Sequence, residues 1–125
     1  MNNPYSRYTS TSISTGNEAQ QLIFVFDEVL KLLYKAKKAI DAGEIEEKYK
    51  AIDKAANIFM LLRTGVSSTE HDLVKGLDNF YAATGDQLLK LNSKPSPAEE
   101  CSKIIELVKK VRDALLQSAQ TEGFI

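Results

Sequence analysis

The sequence predicts an all-α protein, an antiparallel up-down-up-down four-helix bundle with an irregular N-terminal segment ahead of it. Apolar residues recur at spacings of three and four in four separate runs, and turn and capping signals fall between those runs. No stretch alternates with period two for long enough to form a strand. The 125 residues suffice for one domain, above the roughly 70–80 below which disulfides or metals usually staple the core.

Residues 6–15 hold four Ser and three Thr, whose side chains compete with backbone hydrogen bonding, so residues 1–16 are expected to stay outside the bundle. The first start signal is Thr15-Gly16-Asn17-Glu18, a capping box in which Thr15 and Glu18 satisfy each other's backbone amides. Leu22, Phe26, Val29, Leu33, Ala36 and Ile40 follow on one face, widened by Ile23, Val25, Leu30 and Leu32. Asp41-Ala42-Gly43 ends this helix. The second run is Ile45, Tyr49, Ile52, Ala56, Phe59 and Leu62, with a stop at Gly65. Ser67-x-x-Glu70 is another capping box, and Leu73, Leu77, Phe80, Tyr81, Thr84, Leu88 and Leu91 follow it. Gly85 lies inside that pattern, where it costs ~1 kcal/mol relative to Ala. Ser96-Pro97-Ala98-Glu99 combines a capping Ser with Pro at the first helical position. Cys101, Ile104, Ile105, Val108, Val111, Leu115 and Ala119 make the fourth face. The bundle is thus expected over residues 17–119, in helices of roughly 20–25 residues joined by short connections that force antiparallel neighbours, with a tail over 120–125.

Composition removes several classes of function. Sixteen basic residues against seventeen acidic ones leave a net charge of −1, which gives no electrostatic drive towards nucleic acid. One Cys cannot form an internal disulfide, and one His with one Cys cannot assemble a zinc site of the usual kind. The longest apolar stretch, Leu22 to Phe26, is far below the ~18–20 residues of a membrane span. The N-terminus lacks the charged region and apolar run of a secretory signal, so the expected setting is cytoplasmic.

A search for chemistry finds little. Glu-x-x-His pairs of the kind that hold metals in bundles are missing, as are Gly-rich phosphate loops, and no cofactor is expected. Asp27 and Glu28 diverge by about 100° around a helix, so Asp27 is expected to pair with Lys31 rather than act with Glu28. Lys31, Lys35 and Lys38 read as a solvated face. His71 reads as a surface residue and Cys101 as a small buried hydrophobe. Tyr34, Tyr49, Phe59, Phe80 and Tyr81 read as core or core-edge rings. The residues alone point to a helical bundle that binds another protein, with no named partner and no catalysis.

One stretch is more specific. Asn3-Pro4-Tyr5, Tyr8, Ile13 and Thr15 precede the first helix at spacings that resemble the flagellin export chaperone family FliS. That family opens with Asn-Pro-Tyr-x-x-Tyr and Val-x-Thr-Ala-Ser-Pro before an apolar helix carrying Asp-Gly. Without gaps, Ile13 falls on the Val, Thr15 on the Thr and Asp27 on the Asp. Leu77 with Phe80-Tyr81 is similar to its Leu-x-x-Leu-Tyr, and Val111-Arg112-Asp113-Ala114-Leu115 to its Leu-Arg-x-Ala-Trp. The resemblance runs along nearly the whole chain. Glu18, Glu28 and Leu115 depart from the family's Pro, Gly and Trp, and Asp86-Gln87 stand where it often carries Arg.

The resemblance implies a cytoplasmic chaperone that binds the disordered C-terminal region of flagellin and delivers it to the flagellar secretion apparatus. A helix laid in an interhelical groove uses anchors at i, i+3, i+4 and i+7. The residues expected to bind the client or carry a cap over its groove are Tyr5, Tyr8 and Ile13 in the N-terminal segment. In the helices they are Leu22, Phe26, Tyr34, Leu77, Phe80, Tyr81 and Leu88. The alternatives are an adaptor that docks another flagellar export or regulatory protein through the same grooves, and a bundle that holds a small ligand. Nothing in the sequence selects the groove. The 43% hydrophobic content reads as core plus groove.

Overall fold

The computed structural model describes residues 18–66, 76–94, 97–121 and 123. Four helices make up nearly all of these: α1 (Glu18–Ala42), α2 (Ile45–Val66), α3 (Asp78–Leu91) and α4 (Ala98–Thr121). None of the described helices is long and apolar enough to cross a membrane. The molecule is an antiparallel four-helix bundle, as the periodicity predicts. Around it the order is α3, α2, α1, α4: α1 packs against both α2 and α4, α2 against α3, and α3 scarcely meets α4.

The sharp stop after α1 has a local cause. Gly43 takes φ +73°, its N–H donates to the Ile40 carbonyl at 3.1 Å, and the Glu44 N–H donates to Ala39 at 2.8 Å. These are the two bonds of a Schellman cap, which satisfies the last carbonyls and reverses the chain at once into α2. At the start of α4 the Pro97 carbonyl accepts from the Cys101 N–H at 2.9 Å, and Glu99 and Glu100 sit in the first turn, where carboxylates are favoured. The two expected capping-box residues Thr15 and Ser96, the Ser67-x-x-Glu70 box, Leu73 and His71 lie outside the described residues.

The core is a cluster of four rings from three helices. Phe26 of α1 lies 6.1 Å edge-on from Phe59 of α2 and 6.0 Å from Phe80 of α3, while Tyr81 of α3 stacks on Phe59 at 5.9 Å. Phe26, Phe59 and Tyr81 have no exposed surface. Aliphatic layers continue the core on both sides, with Val29, Leu33, Ile52, Leu88 and Val108 also fully buried. Contacts of this geometry add about 0.5–1.5 kcal/mol per ring pair beyond burial. Cys101 is buried, as expected, with its thiol 3.8 Å from the Leu33 carbonyl.

Three details differ from the sequence expectation. Asp27 does not pair with Lys31. It sits on the edge of α1 that faces α4 and accepts two bonds from the Arg112 guanidinium, at 2.9 and 3.3 Å, while Lys31 reaches Glu28 at 3.4 Å. The planar fork of Arg matches a carboxylate better than a local Lys does, and the pair ties α4 to α1. Ile45 and Tyr49 are 66% and 54% exposed rather than buried. The inward position at that turn belongs to Lys48, which buries its stem and donates from Nζ to the Lys94 carbonyl at 2.8 Å. Finally, α3 spans 14 residues, short of the 20–25 expected. A turn at Gly76-Leu77 precedes it, at a glycine that gains little from helix formation.

Gly85 is the one glycine inside a described helix whose packing is informative. A Cβ placed on it would lie 3.9 Å from both Met60 Sδ and Phe59 Cβ, an ordinary contact. Gly85→Ala is therefore expected to stabilise the bundle by roughly 0.5–1 kcal/mol through helix propensity. Urea unfolding followed by circular dichroism measures it, and a destabilised variant would mean that α3 sits closer to α2 than described.

Candidate functional site

The open edge of the bundle is the seam between α3 and α4. On α4 the residues that line it are Lys103, Ile104, Leu107, Lys110, Val111, Ala114 and Ser118, at helical spacing on one face. From Glu100 to Ser118 this face is ~27 Å long at 1.5 Å per residue. Core-facing Ile105, Val108 and Ala119 lie beside it on the same helix. So α4 carries a buried apolar stripe against α1 and, beside it, a mixed face in which Leu107, Val111 and Ala114 are left partly open by the described residues.

Two concavities mark the seam. Near the start of α3 a cavity of about 360 Å³ lies between Leu77 and Val111, Ala114 and Leu115 of α4. Near the α3–α4 connection a second, of about 230 Å³, has Leu91 and Ile104 at its base and Gln87, Lys90, Lys94 and Lys103 around it. Leu107, 39% exposed, belongs to the first cavity and lies one turn along α4 from Ile104 of the second. The walls of the seam differ in length: α4 has 24 residues and α3 has 14.

At the connection the charges are organised. Lys94 donates to the Glu100 carboxylate at 2.9 Å, and Lys90 pairs with Asp86 at 3.2 Å. The hydrogen bond from Lys94, with smaller help from Lys103, holds the Glu100 carboxyl below the usual carboxylate range. Among the described residues no group of three or more His, Cys, Asp or Glu is placed to hold a metal ion.

The expected site residues divide by location. Leu22, Phe26, Tyr81 and Leu88 are inside the core, at most 2% exposed, and offer no surface. Phe80 is half-buried and stacks on Phe26. Leu77 lines the larger cavity. Tyr34 is 49% exposed on α1, a helix that does not line the seam. Tyr5, Tyr8 and Ile13 lie outside the described residues. Of the family departures, Gln87 and Leu115 line the seam and Asp86 flanks it through Lys90, whereas Glu28 pairs with Lys31 away from it. Sequence reading did not single out Leu107. The signal was available as a second stripe of Ile104, Leu107, Val111 and Ser118 running parallel to the core stripe.

Fold and seam together define the class, an α-helical bundle with an open, largely apolar interhelical groove. The chain belongs to the family described as flagellar protein FliS, whose family model matches residues 1–122. That is a family of flagellar export chaperones. Comparison with curated proteins found no match.

The Glu100 environment has a measurable consequence. Because its folded-state pKa is lowered, Glu100 contributes stability above its unfolded pKa, and that contribution is lost as pH falls through the folded value. In a carboxyl-detected NMR titration Glu100 is expected to titrate below a freely exposed glutamate, and Lys94→Ala is expected to move its midpoint up. An unchanged midpoint would mean that the Lys94 bond does not persist in solution.

Proposed function

We propose that this protein is an export chaperone for flagellin, and that the α3–α4 seam is the groove that receives the disordered C-terminal region of the client. The observation that carries this reading is the face of α4 on which Leu107, Val111 and Ala114 are left partly open among the described residues, with Lys103, Lys110 and Ser118 beside them and α3 as the second wall. A flagellin terminus is an amphipathic segment that assembles with its own kind, so burying its apolar face in the cytoplasm blocks polymerisation before delivery to the secretion apparatus. The client orders as it binds, so the contact must offset roughly 2–5 kcal/mol of ordering cost. A seam of this length supports five turns of helix.

Residues 1–16 serve, in the same proposal, as a cap that covers the seam when it is empty, with Tyr5, Tyr8 and Ile13 as apolar anchors. A second reading, docking of a flagellar export or regulatory protein, draws on exposed Tyr49, Met60 and Leu89 of α2 and α3, none of which lines the seam. The two surfaces are compatible in one molecule.

Calorimetric titration of the full chain with a synthetic C-terminal flagellin segment is expected to show a one-to-one complex. Leu107→Asp is expected to weaken it at least about tenfold, the loss that ~1.4 kcal/mol produces, with little change in thermal stability because Leu107 is outside the core. The absence of both heat and co-elution with the native chain would sink the proposal. Tyr5→Ala with Tyr8→Ala is expected to tighten client binding by removing a competitor. Unchanged client affinity and unchanged stability of the empty protein would rule out the cap.

A further inference from the structure

Four lysines line the two cavities of the seam, Lys90, Lys94, Lys103 and Lys110, against a single carboxylate, Glu100. The whole chain carries a net charge of −1, so positive charge is concentrated along this seam. Three of the four lysines crowd the end next to the α3–α4 connection, and the larger cavity has only Lys110 beside its apolar lining. Among the described residues their partners satisfy them incompletely. Lys90 pairs with Asp86 in an exposed i,i+4 contact, Lys94 holds Glu100, and neither Lys103 nor Lys110 bonds a carboxylate among the described residues. Glu106 lies between those two in sequence and bonds neither.

We propose that the occupant of the seam is an amphipathic helix with Asp or Glu residues at the end that lies beside Lys90, Lys94 and Lys103, and an uninterrupted apolar stripe at the Leu77–Leu115 end. This rests on the reading of the seam as the client groove and adds the chemistry of the client. Covering these lysines with a neutral segment would strip water from their ammonium groups, which is unfavourable, since Lys103 has no carboxylate bond among the described residues and Lys90 and Lys94 have one each. Carboxylates at that end supply a partner for Lys103 and add to the exposed pairs of Lys90 and Lys94, and because the other end carries only Lys110 they fix which way round the helix lies. Lysine heads on flexible stems accept carboxylates over a range of positions, unlike the rigid fork of Arg, so the match is one of charge rather than of a single residue pair. Long-range attraction also speeds encounter and is screened by salt.

The test uses the full chain and two synthetic helices of seam length with identical leucine stripes, one ending in three glutamates and the other in three lysines. Anisotropy titrations at low salt are expected to show the glutamate helix binding roughly tenfold tighter, with the gap closing at high salt. Lys90→Glu with Lys103→Glu is expected to reverse the preference, and Lys90→Gln with Lys103→Gln to erase it. Equal binding of the two helices, binding of neither, or a preference that survives both variants would overturn the proposal. So would binding of anionic lipid vesicles without any preference between the helices. A C-terminal flagellin peptide run in parallel separates the two readings. Flagellin binding without a charge preference removes only the acidic-client inference, and a charge preference without flagellin binding removes only the flagellin assignment.

Discussion

The ring cluster of Phe26, Phe59, Phe80 and Tyr81 is the contact on which the rest of the bundle depends. It joins α1, α2 and α3 through centroid separations of 5.6 to 6.2 Å, so those three helices form one slab. The fourth helix has no aromatic residue at all. Its attachment is aliphatic packing on α1, helped by the Arg112–Asp27 pair. The strongest packing therefore lies on one side of the molecule, and the weakest edge falls opposite it, between α3 and α4. Among the described residues the groove follows from where the large side chains are placed.

The described residues leave apolar surface at that edge. Leu107 at 39% exposure and the half-buried Leu77 and Val111 would each gain from a neighbour, at about 25 cal/mol per Å² of apolar area covered. The family to which the chain belongs works by holding other proteins, and an uncovered stripe is what such work requires.

Much of the architecture was legible in the sequence. The inward faces of α1 and α4 follow the spacing of Leu22, Phe26, Val29 and Leu33 and of Cys101, Ile104, Val108 and Leu115, all of which are buried. Periodicity reports which residues share a face and says nothing of whether another helix covers it. That is why Phe26, Tyr81 and Leu88 stand among the expected client-binding residues although they are wholly buried, and why Leu107 does not. Tyr49 misled for a related reason: its spacing suits the buried face, but Lys48 takes the inward place by giving its amine to the Lys94 carbonyl. The Asp27–Arg112 pair joins positions 85 apart in sequence, a partnership that no local rule for i,i+4 pairs anticipates.

The buried thiol gives the protein a built-in reporter. Burial pushes the Cys101 thiol above its ordinary pKa, so the reactive thiolate is scarce while the bundle is intact. It is also the only sulfhydryl in the chain. An alkylating reagent therefore has one target, and reaches it when α4 lifts from α1 or the chain unfolds. Labelling rate thus becomes a clock for opening of that helix pair, readable by mass alone in mixtures where optical probes of a tryptophan-free protein would be swamped.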